Sequence, residues 1–473
     1  MKRKTKIVAT LGPVSQAPEQ IEALIHAGVN VFRLNFSHGT AENHRINVAN
    51  IRSVAKKLNV LVGILQDLQG PKIRVGSFVK QSIILAPDQA FALHPDKNKL
   101  GDETGVGISY KGLNNDVSTG DLLLLDDGKL ILEVTEVSNE IIHTRVKRGG
   151  LLSNNKGINV PGADLSIAAV TEKDIEDIAI GAQLDVDWVA LSFVRNREDL
   201  LLAQKYLKQN DSNAKLMAKI EKPGAIKNYK EILRTADGIM VARGDLGVEL
   251  SPEKVPMLQK RLIRKAREKG KPVVTATQML ETMIENAIPT RAEANDVANA
   301  IFDGTDAVML SAETATGLYP IKAVETMDKI AKTVEADSDY KKRMVDRKFK
   351  AEKNTPDAVS SAACHIAITL SAKVLCCFSC SGATALRVAR NRIPTDVIAV
   401  SPSFKSCCQL AVSWGVNPVL NNDATSSDEM VEIANKVICE QKMARAGDQF
   451  VVTAGVPFGY SGTTNLIRVE TQN

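Results

Sequence analysis

Short apolar runs recur along this chain, and most are followed by an amphipathic stretch of helical length. Three runs lie early, at residues 6–12, 29–36 and 60–68, and five lie later, at 188–194, 215–221, 238–241, 272–277 and 307–311. Helical patterns cover 18–27, 40–58, 171–183, 197–208, 224–233, 252–269, 290–301 and 320–336. Eight strand–helix units in series predict an α/β fold whose strands close into a (β/α)₈ barrel rather than an open sheet. The pattern breaks at 72–160, which is rich in Gly, Asp, Asn and alternating β-formers. That segment reads as a small all-β lid inserted after the third barrel strand. Residues 337–353 are charged and read as a solvated linker or helix face. From 355 onward a helix, a strand at 373–378 and further alternation to 469 predict a C-terminal open α/β domain. The expected boundaries are 1–71 and 161–340 for the barrel, 72–160 for the lid and 341–473 for the last domain.

Composition excludes several function classes. Among 473 residues, 60 Lys and Arg face 55 Asp and Glu, and aromatics are only 4%. A net +5 so dispersed is no nucleic-acid signature. No apolar run reaches the roughly 18 residues a membrane span needs. The basic start Met1-Lys-Arg-Lys4 leads into an apolar stretch that stops at Gly12-Pro13, too short for a signal peptide. We therefore expect a cytoplasmic protein with no membrane or nucleic-acid partner. The seven cysteines all lie beyond residue 363, and an odd count with two vicinal pairs is no disulfide framework. Cys376, Cys377 and Cys380 read better as small residues on a strand and its turn than as metal ligands.

Barrel enzymes build their sites at the C-terminal ends of the strands. Those ends carry Arg33, Asn35, Ser37 and His38; Asp67; Ser192; Lys219 and Glu221; Arg243, Gly244 and Asp245; Thr277 and Gln278; and Ser311 and Glu313. Polar residues at seven of eight exits are more than solubility requires. Glu221 and Asp245 suit Mg²⁺ or Mn²⁺, because such ions take one or two carboxylates and fill their shell with water and substrate oxygens. Lys219 stands two residues before Glu221, so both side chains share a face. Such a lysine is placed to stabilise charge on a transferring phosphoryl group or an enolate; the bland alternative is a buried salt bridge. Arg33 offers a fork for phosphate or carboxylate. Gly244 allows close backbone approach, Thr277 could relay a proton, and Asn35, Ser37 and Asp67 offer oxygens to a cation. His38 reads as structural or substrate-positioning.

Several of these stretches resemble the pyruvate kinase family. They are Ile239-Met-Val-Ala-Arg-Gly-Asp-Leu-Gly-Val-Glu249, Arg33-Leu-Asn-Phe-Ser-His-Gly39, Ala218-Lys-Ile-Glu221, Thr275-Ala-Thr-Gln-Met-Leu280 and Asp306-Ala-Val-Met-Leu-Ser-Ala-Glu313. Asn155-Lys-Gly-Ile-Asn-Val-Pro-Gly162 and Gly459-Tyr-Ser-Gly-Thr-Thr-Asn465 are similar too, so the resemblance spans essentially the whole chain. It implies transfer of a phosphoryl group from phosphoenolpyruvate to ADP, the last step of glycolysis. Glu221 and Asp245 would bind the divalent metal. Arg33, Ser192, Lys219, Gly244, Asp245 and Thr277 would hold phosphoenolpyruvate, with Thr277 and Ser311 near the proton that completes pyruvate. Asn35, Ser37, His38, Arg74 and Lys156 would face the nucleotide.

The resemblance also implies a tetramer, a K⁺ site at Asn35, Ser37, Asp67 and Leu68, and an effector site. Potassium-dependent relatives read Asp-Thr-Lys-Gly-Pro-Glu where this chain reads Asp67-Leu-Gln-Gly-Pro-Lys72. Lys72 would therefore replace the K⁺ charge. The effector site would use Ser379, Ser381, Gly382 and Thr384 before a helix, with Gly459, Ser461 and Gly462 from a later loop. Relatives often carry Lys at the position of Cys380, which points to a monophosphate activator such as a sugar monophosphate or AMP. Two rival functions are a metal-dependent carbon–carbon lyase and an inactive metabolite sensor. The lid with Lys156 argues against the first, and intact Lys219, Glu221 and Asp245 argue against the second.

Overall fold

A computed structural model describes residues 3–163, 165–346, 349, 351–457 and 462–472. Eight parallel strands close into a barrel: β1 Lys6–Thr10, β2 Val31–Asn35, β3 Gly63–Asp67, β4 Trp188–Leu191, β5 Lys215–Ile220, β6 Gly238–Ala242, β7 Val273–Ala276 and β8 Ala307–Leu310. Closure comes from β1 pairing β8 in register Lys6↔Ala307 to Ala9↔Leu310. Nearly every strand residue is buried, as expected of strands covered on both faces. One set faces the helices, including Ile7, Phe32, Ile64 and Ile239; the alternate set, including Val8, Leu65, Met217 and Met240, fills the barrel interior.

Between β3 and β4 the chain forms a seven-stranded and a two-stranded sheet around their own apolar cluster. It enters through Ile73–Arg74 and leaves through Gly157–Asn159, and these two strands pair antiparallel, Ile158 opposite Ile73. The lid is thus rooted by a paired double crossing.

The charged segment takes the helical one of its two expected forms, but it is not wholly solvated. Ser338–Asp346 is a helix, and it buries Tyr340 and Met344. The Tyr340 ring meets Phe302 edge-on at 5.5 Å. Two apolar residues among the charges suffice to dock the helix on the barrel. The expected helix at 224–233 breaks at Asn228 into Pro223–Lys227 and Tyr229–Thr235.

Beyond residue 354 the chain forms a five-stranded sheet with flanking helices, and residues of this domain outside its strands meet the starts of the barrel strands. Arg392 and Asp306 form a buried ion pair across this junction at 3.0 Å, and the Trp188 indole N–H donates to the Gln409 carbonyl at 3.1 Å. Cys376 and Cys377 are buried in the strand Val374–Phe378, and burial pushes both thiols above their ordinary pKa. Among the described residues no helix is long and apolar enough to cross a membrane.

Candidate active site

Lys219, near the end of β5, is the centre of the polar cluster at the C-terminal mouth of the barrel. Its ammonium lies 2.8 Å from Ser192 Oγ, 3.1 Å from Asp67 Oδ1 and 3.1 Å from Glu221 Oε1. Asp67 Oδ2 accepts from Arg33 Nε at 2.6 Å, and Arg33 Nη1 reaches Thr10 Oγ1 at 3.0 Å. One network thus joins residues of β1, β2, β3 and β5 with the exit of β4. Burial alone would lower the Lys219 pKa, but Asp67 and Glu221 outweigh it and hold the ammonium above its ordinary value. Asp67 is fully buried, which raises its pKa, yet Lys219 and Arg33 pull it below the ordinary carboxylate range.

Glu221 is the exception. Burial raises its pKa, Lys219 only partly offsets this, and the nearby Asp245 charge adds to the rise. Its Oε2 accepts from the Phe193 N–H at 2.7 Å, while Oε1 makes no hydrogen bond despite lying close to Lys219. Asp245 sits in the first turn of the helix Arg243–Glu249, one step past β6, and is partly exposed. Lys72 Nζ lies 3.3 Å from Asp245 and 3.9 Å from Asp127 of the lid.

The far side of the mouth is a strained turn. Thr277 and Gln278 have φ of 69° and 54°. A β-branched residue in the left-handed region persists only where its surroundings over-determine it. Here Arg243 donates to both carbonyls, at 2.7 and 3.0 Å, while pairing with Asp296. Thr277 Oγ1 donates to the Ala276 carbonyl at 2.6 Å and accepts from the Gly244 N–H at 2.8 Å. The Ser311 N–H donates to Glu313 at 2.6 Å.

Residues 2–324 match the family described as pyruvate kinase, barrel domain, and 357–470 match pyruvate kinase, alpha/beta domain. The chain belongs to the pyruvate kinase family. It is 45% identical over 471 residues to the pyruvate kinase of Sporosarcina psychrophila, covering 99% of this chain and 80% of that one. The pyruvate kinase of Staphylococcus aureus strain MRSA252 is 45% identical over 470 residues, with the same coverages. A crystal structure of a pyruvate kinase from Cryptosporidium parvum superimposes with a TM-score of 0.93 at 34% identity, covering 100% of this chain and 96% of that one. Pyruvate kinases are phosphotransferases.

The fold brings Arg33, Asp67, Ser192, Lys219 and Glu221 into direct contact, and Gly244 against Thr277. Other expected residues stand differently. Asn35 Oδ1 accepts from the Ser37 N–H at 3.2 Å. His38 is exposed, and its carbonyl rather than its ring meets His44. The Leu68 carbonyl accepts from Ser192 Oγ at 2.7 Å. Lys156 pairs with Asp126 at 2.8 Å, and Arg74 donates to the Asn155 carbonyl at 3.0 Å, both within the lid. Gly244 needs no left-handed backbone; a Cβ there would point at Thr277 Oγ1, 3.4 Å away.

In the C-terminal domain, Ser381 is exposed on its loop and Ser379 is half-buried. Thr384 is buried and its hydroxyl engages Thr464 at 2.7 Å, so it does not face a ligand as expected. Gly382 is buried against Leu410. Gly459 and Ser461 lie outside the described residues, while Gly462 is described with φ of 89°.

A divalent cation fits the Glu221–Asp245 pair. Glu221 Oε1 is a buried acceptor with no hydrogen bond among the described residues, and the nearby Asp245 charge disfavours the ionisation of Glu221 in the absence of a cation. Among the described residues, no group of three or more His, Cys, Asp or Glu could hold a metal. The shell must therefore be completed by water and substrate oxygens, as Mg²⁺ ordinarily does. The sequence reading missed Thr10, which closes β1 and anchors Arg33. It had the same signal as the others: a polar residue ending an apolar run. It also missed the Phe193 N–H on Glu221, which no side-chain pattern could reveal.

Proposed function

We propose that this protein catalyses phosphoryl transfer from phosphoenolpyruvate to ADP, yielding pyruvate and ATP. The observation that carries this reading is the buried Lys219 ammonium between Asp67, Ser192 and Glu221. A β-phosphate oxygen of ADP attacks the phosphoenolpyruvate phosphorus. The bond from phosphorus to the enol oxygen breaks, and the released enolate takes a solvent-derived proton at its methylene carbon. Lys219 stabilises negative charge on the transferring group and the enolate oxygen, in a site too buried for water to screen it. Arg33, oriented by Asp67 and Thr10, holds the substrate phosphate. A metal held by Glu221 and Asp245 would supply Lewis-acid polarisation of substrate oxygens. The Thr277 hydroxyl and Ser311 flank the path of the final proton. Lys156 and Arg74 approach the nucleotide from the lid, whose closure excludes water. The lid supports this reading over a lyase, which has no nucleotide phosphates to hold. The test is pyruvate formation from phosphoenolpyruvate and ADP with and without Mg²⁺; no Mg²⁺-dependent pyruvate would overturn it. We further read the protein as a cytoplasmic homotetramer, checked by its mass in solution.

The K⁺ requirement is replaced by Lys72. Its partners are Asp245 and Asp127, so the ammonium adds positive charge beside the proposed metal rather than on Asp67. Both Asp67 oxygens are already held by Arg33 and Lys219. At ~4 Å and an effective dielectric of about 20, one unit charge acts on another with about 4 kcal/mol, an upper scale for this replacement. We expect full activity in tetramethylammonium buffer and a new KCl requirement in Lys72→Glu. Strong KCl stimulation of the wild-type protein would refute this.

The loop at Ser379 and Ser381 is proposed to bind a phosphorylated activator. The Cys380 thiol donates to Asp423 at 3.4 Å, and that carboxylate disfavours a highly charged ligand. A monophosphate is therefore expected to lower the half-saturating phosphoenolpyruvate concentration, and Ser381→Asp to abolish the effect. Activation that survives in Ser381→Asp, or no response to any sugar monophosphate or AMP, would end the proposal.

A further inference from the structure

Glu249 ends the helix that begins at Arg243 and carries Asp245 in its first turn. A carboxylate at a helix C-terminus opposes the helix dipole, and this one is also buried, at 5% exposure. Its placement must be explained by its partners. Oε1 accepts from Asn159 Nδ2 at 2.7 Å and lies 2.5 Å from Lys222 Nζ. Asn159 is the last residue of the strand by which the chain leaves the lid, and it is itself buried. Lys222 directly follows the metal-side carboxylate Glu221. Its ammonium also lies 5.5 Å from the centre of the Phe193 ring, whose backbone N–H holds Glu221 Oε2. One carboxylate oxygen therefore ties the lid's root to both elements that carry the metal ligands.

A buried ion pair is a poor device for stability, since apolar replacements of the same volume are often as stable. Here each partner belongs to a part whose relative position matters. We propose that Glu249 is a positioning residue that couples the lid's angle to the Glu221–Asp245 pair. Motion of the lid about its double crossing pulls on Asn159. Through Glu249 that pull reaches the helix bearing Asp245 and the segment bearing Glu221. By reciprocity, filling the metal site steadies the lid root. The inference rests on the pyruvate kinase reading of Glu221 and Asp245 as metal ligands.

The test uses the full chain with Mn²⁺ and phosphoenolpyruvate. Mn²⁺ binding is read by electron paramagnetic resonance, and the lid root by hydrogen exchange at residues 73–75 and 157–160. In the wild-type protein the additions should slow exchange there by about fivefold, the lower end of ordinary coupling between sites. In Asn159→Ala and Glu249→Gln this protection should be lost, with Mn²⁺ still bound by Asn159→Ala. If Glu249→Gln does not fold, Asn159→Ala decides, because it removes only the lid's contact. Protection retained in the variants, or absent in the wild-type protein while Mn²⁺ binds, overturns the coupling alone. Failure of Mn²⁺ to bind the wild-type protein overturns the coupling and the metal assignment together.

Discussion

Lys219→Met should lower kcat by about three orders of magnitude, the scale at which one preorganised cationic group acts on a transferring phosphoryl. In the proposed mechanism the ammonium meets charge that develops as the enol oxygen departs, so its loss should fall on the transition state. KM for phosphoenolpyruvate should change little, because Arg33 keeps its place. It is held by Asp67 at 2.6 Å and Thr10 at 3.0 Å, and neither atom it bonds is the one that Lys219 touches. Asp67 also keeps one cation in the variant, whereas Glu221 loses the Lys219 ammonium, its one ion-pair partner among the described residues. Glu221 should then take up a proton more readily, since burial already disfavours its charge. Steady-state kinetics with a thermal melt read both effects. A raised KM with unchanged kcat would mean that Lys219 contributes only uniform substrate binding.

The barrel was legible because a strand covered on both faces reads as an apolar run, and eight such runs are countable without tertiary information. The Lys219–Glu221 pairing was legible for a similar reason: alternation along a strand is local. What depended on chain segments far apart was not. Lys72 lies 173 residues from Asp245, and nothing local says that the lid's first crossing brings its ammonium there. Thr384 resembles a ligand-facing hydroxyl until Thr464, 80 residues on, is placed against it. The Phe193 contribution is a backbone N–H, to which side-chain identity is silent. Tyr340 and Met344 were hidden in a run of charges, because a helix needs only one apolar stripe to dock.

Asp245→Asn and Glu221→Gln should each cost about three orders of magnitude in turnover, since a bound cation supplies several kcal/mol of charge stabilisation and each 1.36 kcal/mol is about tenfold in rate. Neither variant should lose much stability. Asp245 is partly exposed and, among the described residues, paired with Lys72 alone at 3.3 Å, so its amide variant loses a weak contact. Glu221 is fully buried, with its charge disfavoured by burial and by Asp245. A neutral amide of the same shape relieves that penalty and can still accept from the Phe193 N–H. The same change takes one of two carboxylates from the buried Lys219 ammonium, which offsets that relief. The melting temperature of Glu221→Gln should therefore change little while activity collapses. That separation distinguishes a functional carboxylate from one that merely balances Lys219. If Glu221 were only a structural counter-ion, Glu221→Gln would lose stability, and Mn²⁺ binding by electron paramagnetic resonance would be unchanged. Near-wild-type turnover in either variant would remove that residue from the metal site.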